Sequence, residues 1–91
     1  MRAMILGYEP VEYVKKGTDQ HKVGLSLYYA AANDRTLGLR TADQWVDKQR
    51  DAALYDLIMS ADVSEPVWAD MMFDVQVGSR YPRLVDIVLD A

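Results

Sequence analysis

Apolar and polar positions alternate through most of this chain, and the phase of the alternation predicts its elements. In "AMILGYEPVEYVKK" β-branched and aromatic residues gather, and from Val11 onward Val11 and Tyr13 fall on one side, Glu12 and Val14 on the other. Pro10 has no N–H to give to a ladder, so this first strand is predicted to lie at an edge or to bulge there. "KKGTDQHK" supplies Gly17 and Asp19 to a charged turn. "VGLSLYYAA" then alternates cleanly, with Val23, Leu25, Leu27 and Tyr29 facing one way and Lys22, Gly24, Ser26 and Tyr28 the other. "ANDR" marks a second turn.

The stretch "TLGLRTADQWVDKQRDAALYDLIMSA" admits two readings. One is a single helix from Ala42 to Met59, capped by Thr41 with Gln44 three residues on. The unbroken polar run Asp47 to Asp51 interrupts its apolar stripe. The other ends a third strand, from Leu37 to about Val46, at that break and leaves a short helix from about Arg50 to Met59. The second is favoured, partly for the topology it yields. Pro66 in "ADVSEPV" stops any helix. In "VWADMMFDVQV" Met71, Phe73, Val75 and Val77 make a core face and Asp70, Met72, Asp74 and Gln76 a solvent face. After Gly78 and Ser79, "RLVDIVL" sets Val85, Ile87 and Leu89 opposite Leu84, Asp86 and Val88.

Three strands, a short helix and two more strands are the order of an OB-type barrel. The predicted fold is therefore mainly β: a small five-stranded OB-like barrel with one short helix between strands 3 and 4, residues 1–91 forming a single domain. Closure would remove the open edges that invite aggregation. The alternative is an α+β sheet with one longer helix packed on one face.

Composition narrows the function more than the fold. Ninety-one residues suit one domain, and an apolar share of 51% with two Trp and six Tyr excludes a disordered chain. The absence of cysteine removes disulfides, zinc–thiolate sites and a thiol nucleophile. "MRAMILGYEP" is too short for a signal-peptide core or a membrane span, so a soluble cytoplasmic protein is expected, with no membrane partner. Net charge is −4, unevenly spread: residues 1–50 carry a balance of +2 and residues 51–91 of −6. The less acidic end keeps a phosphate backbone open as a partner.

"VEYVKKGTDQHKVGLSLYYAA", a hairpin with a basic tip, and "MFDVQVGSRYPRLVDIVL", a closing hairpin reading strand, Gly-Ser-Arg-Tyr, strand, together resemble the small single-stranded-DNA-binding proteins of phage and mobile elements, the gene V type and its plasmid relatives. The resemblance is one of pattern and length over most of the chain. It implies an OB-like fold, a homodimer, and binding of single strands without strong sequence preference.

Such binding needs cations along the phosphates and aromatic faces under the bases. Lys15, Lys16, His21 and Lys22 cluster on the first hairpin, with Tyr13 and Tyr28 close in sequence; Arg80, Tyr81 and Arg83 repeat the mixture at the last turn, and Arg35 and Arg40 flank the intervening one. Phosphate contacts are assigned to Lys15, Lys16, Lys22, Arg80 and Arg83, and stacking to Tyr13, Tyr28 and Tyr81, with DNA favoured and RNA still open. The structural reading of the last turn is that Arg80 and Arg83 neutralise Asp70 and Asp74 while Tyr81 caps the core. Trp45 and Trp68 read as buried at a core boundary.

No catalytic constellation is legible, and neither a cofactor nor a metal is expected. His21, the single histidine, sits in an exposed turn; Asp51 and Asp56 are off one helical face; Asp70 and Asp74 alone make a weak metal site. A second function class remains. Asp56, Asp62, Glu65, Asp70 and Asp74 suit a protein-interaction module, or an accessory protein mimicking nucleic acid, that meets a basic partner. The two classes differ in whether cations or carboxylates gather beside the aromatic residues.

Overall fold

The computed structural model describes residues 1–75, 77–78 and 82–90. Five antiparallel strands form one sheet: β1 (Arg2–Val14), β2 (His21–Asn33), β3 (Thr36–Asp47), β4 (Val67–Asp74) and β5 (Arg83–Leu89), in the order β3-β2-β1-β4-β5. One helix, α1 (Ala52–Met59), lies between β3 and β4. The strand reading of Leu37 to Val46 holds and the longer helix does not. Asp47 to Asp51 is where the chain turns, because the Asp47 Oδ1 accepts the Gln49 and Arg50 N–H groups at 2.9 and 3.0 Å. These bonds give the backbone an alternative to helix.

Each strand end has a local cause. The β1–β2 turn closes with Lys15 N–H to the Gln20 carbonyl at 2.9 Å, and Gly17 takes the left-handed φ of +82° that the turn needs. At the β2–β3 turn Asn33 Oδ1 accepts the Arg35 N–H at 2.9 Å. β1 pairs with β2 along its whole length but with β4 only from Arg2 to Ile5. Its bulge falls at Leu6, where Ile5 pairs with Tyr29 and Gly7 with Tyr28. Pro10 lies past the bulge, where β1 has a partner on one side only, so its missing donor breaks no second ladder.

The inner face carries the core: Ile5, Leu25, Leu27, Val46, Met71, Leu84 and Ile87 are fully buried. Each contributes roughly 1.5–3 kcal/mol on burial. α1 covers this face with Leu54, Tyr55 and Ile58. Four strand spacings of about 4.8 Å would hold β3 and β5 some ~19 Å apart in a flat sheet. Instead Arg83 of β5 reaches Asp51, just past β3, at 3.0 Å, so the sheet curls around α1. No β3–β5 ladder joins the described residues, and the sheet is open rather than a closed barrel.

Two strand expectations change. β4 ends at Asp74, so Val75 and Val77 are exposed and not part of a core face. In β5 the pairing passes from Met72–Asp86 to Phe73–Leu84, leaving Val85 as the bulged residue. Leu84 and Ile87 therefore point inward, and Val85 is exposed. Gln76 lies outside the described residues. Among the described residues no helix is long and apolar enough to cross a membrane.

Candidate nucleic-acid interface

Among the described residues no element covers the face opposite α1, and cross-strand register fixes what this open face displays. Tyr13 pairs with Lys22, Val11 with Gly24, Ser26 with Trp45 and Gly24 with Asp47, so these residues share one face. The rings of Tyr13 and Trp45 meet edge to face at 5.8 Å. They do so because Gly24 leaves the position between them empty. A Cβ there would lie 2.6 Å from the Trp45 ring and 2.3 Å from the Val46 carbonyl oxygen. Tyr13 is exposed and Trp45 half-buried, so Trp45 is only partly the core residue its composition suggests.

Lysines lie at the Tyr13 end of this pair. Lys22 stands beside Tyr13, and Lys15 and Lys16 occupy the exposed hairpin tip. Lys48, in the turn after β3 with its N–H bonded to the Val23 carbonyl at 2.9 Å, turns the other way, toward α1. Its ammonium lies 5.8 Å from the Tyr55 ring centroid. His21, Lys22, Val23, Asp47, Lys48 and Gln49 line a cleft of about 340 Å³. Within it the Arg50 and Gln49 N–H groups hold the Asp47 carboxyl below the ordinary carboxylate range, and Lys22 adds to the effect. Asp47 is thus committed to the backbone, a charge already occupied by its own loop.

The remaining sequence-assigned residues fall elsewhere. Tyr28 is on the open face but among carboxylates: its hydroxyl donates to Glu9 Oε2 at 3.2 Å, and with Glu9 and Asp43 nearby its pKa is raised. Arg83 binds Asp51 Oδ1 at 3.0 Å, not Asp74 beside it in the ladder, and its side chain is only 32% exposed. Arg35 and Arg40 belong to the far half of the β2–β3 hairpin; Arg40 pairs with Ala31, about 30 Å along β2 from Lys22. His21 sits 3.7 Å from Glu12, both exposed. Arg80 and Tyr81, the centre of the last turn's candidate site, lie outside the described residues, as does Ser79.

Trp45 is the residue sequence reasoning left out of the site. Gly24 on the outer face of β2 was the available signal, since a glycine amid alternating side chains marks close approach; what approached it depended on the β2–β3 register. At the other end of the face Trp68 is 39% exposed, where burial was expected. Comparison with protein-family models, curated proteins and solved structures gives no significant match for this chain.

Proposed function

We propose that this protein binds single-stranded nucleic acid, DNA in the first instance, without covalent chemistry, across the open face at the β1–β2 hairpin. The observation that carries the reading is the Tyr13–Trp45 pair on an uncovered sheet face with Lys22 against it. Bases stack on Tyr13 and on the accessible part of the Trp45 ring, each stack contributing about 1–3 kcal/mol. Phosphates run along Lys22, Lys15 and Lys16. The curled five-stranded sheet is compatible with an OB-like barrel left open between β3 and β5, a fold that presents such faces to oligonucleotides. Kinship with the gene V type, and the dimer it implies, remain part of this proposal.

Titration of the intrinsic fluorescence with oligothymidine, at low salt and again at several-fold higher salt, tests it. Quenching that weakens with salt supports stacked rings and released counterions. Unchanged fluorescence at low salt and high protein concentration overturns it.

A further inference from the structure

The open face changes character along its length. Eight residues of β2, about 26 Å, separate Lys22 beside Tyr13 from Ala30 beside Met4. There the register lays down Met4, Trp68 and Asp90 in one row, Arg2, Asp70 and Val88 in the next, and Met72 beside Asp86. Trp68, Met72 and Val88 are 39%, 47% and 52% exposed, and no element packs over them among the described residues. Carboxylates interleave with them, and Arg2 beside them is already shared. Arg2 binds Asp90 through both terminal nitrogens, at 2.8 and 2.6 Å, and Asp70 at 3.6 Å, with its guanidinium 5.8 Å from the Trp68 ring centroid. Asp86 Oδ1 accepts the N–H of the adjacent Ile87 at 2.8 Å.

An exposed tryptophan, methionine and valine with an acidic surround fit the chemistry of one occupant. Nucleic acid and anionic lipid are repelled by Asp70, Asp86 and Asp90. A second copy of this face would set the same carboxylates against one another, and like charges juxtaposed at an interface are disfavoured. We infer that the β4–β5 half of the open face docks a basic, amphipathic segment of another protein, whose apolar side chains cover Trp68, Met72 and Val88 and whose cations meet Asp86 and Asp70. Arg2 holds the Trp68 ring in place for it. The inference is independent of the nucleic-acid reading, because the two sites occupy separate stretches of the sheet.

The test uses the whole chain, isotope-labelled, and a short synthetic peptide alternating lysine and leucine, with an all-lysine peptide of equal charge as control. At physiological ionic strength the lysine–leucine peptide is expected to move the amides of Trp68, Met72, Asp86 and Val88, saturably, and to leave those of Tyr13 and Trp45 in place. Met72→Asp is expected to weaken binding by about tenfold or more, as loss of a central apolar contact does. Asp86→Lys is expected to weaken it and to lessen its salt dependence. Unchanged dispersion of the other amides in both variants shows that the fold persists. Equal binding of the all-lysine peptide, shifts spread to Glu9 and Asp43, or no saturable shift overturns the proposal. Oligothymidine binding by the same variants reads the other site separately.

Discussion

Arg83 and Asp51 close the curl of the sheet: a guanidinium nitrogen from β5 lies 3.0 Å from a carboxylate oxygen at the start of α1. The Asp51 side chain is 5% exposed and also accepts from Arg50 Nε at 3.0 Å, while its backbone carbonyl takes the Tyr55 N–H at 2.8 Å. One residue thereby ties β3, α1 and β5. Asp51→Asn removes the charge and leaves Arg83 half-buried beside a weaker acceptor. Breaking a fully buried pair costs about 3–5 kcal/mol, so with Arg83 partly solvated we expect a loss of about 2–3 kcal/mol. Urea denaturation measures it; a loss no larger than that of Asp56→Asn, an exposed control on α1, would show the link to be incidental.

Gly24→Ala places a methyl against the Trp45 ring and the Val46 carbonyl at distances no packed atom tolerates. Overpacking of this kind costs about 1–3 kcal/mol. The expected outcome is a lower unfolding midpoint together with a shift in the Trp45 emission, and restoration of the midpoint in the Gly24→Ala/Trp45→Ala double variant only in so far as the ring, rather than the carbonyl, is the obstacle.

Under the proposed function the site residues separate by kind. Tyr13→Ala is expected to weaken oligothymidine binding by about 1–3 kcal/mol, the value of one stack. Lys22→Ala is expected to lower the slope of log affinity against log salt by about 0.7, the share of one phosphate on a single strand. Tyr28→Phe, which loses only the hydroxyl bonded to Glu9, is expected to leave binding unchanged. Affinities measured across a salt series distinguish these outcomes, and equal effects from all three substitutions would count against the site as drawn.

Stability should fall with acid through Asp47. Its folded pKa lies below the ordinary 3.8, chiefly because the Arg50 N–H bonds the carboxylate. The unfolded chain therefore binds the proton first. The stabilisation is present in full above the unfolded value and is lost as pH falls through the folded one. Asp62, bonded by Ser64, and Asp90, bonded by Arg2, are lowered in the same sense. The urea midpoint is expected to hold between about pH 7 and 5 and to drop below about 4. Asp47→Asn should drop less steeply there; parallel curves would remove Asp47 from the account.

Much of the fold was legible in the chain because period-2 alternation is unambiguous wherever one face is dry. Leu25, Leu27 and Tyr29 declared β2, and Asp47 to Asp51 told strand from helix because a polar run cannot sit inside an amphipathic stripe. Where apolar residues adjoin, the pattern carries two phases at once. Leu84 and Val85 are such a pair, and the bulge that chose Leu84 follows from pairing with Phe73, a non-local fact. Trp68 is the opposite case: the alternation that faces Asp70 and Met72 outward places Trp68 with them, and phase rather than apolar character decides its exposure. The basic hairpin was readable from Lys15, Lys16 and Lys22. Its aromatic partner Trp45 was not, since the two come together only through the β2–β3 register.

β1 is held on both sides as far as Ile5 and on one side from its bulge to Val14. Mechanically it is a beam clamped at its root and free at its tip. Amide hydrogens of Ala3 and Ile5 should exchange with solvent only when the whole domain opens, and those near Val14 by local fraying, a gradient of protection along a single strand. The lysine-bearing end of the hairpin is then the compliant one. Under the proposed function it bends to follow an irregular polymer while the hydrophobic core beneath the root stays shut.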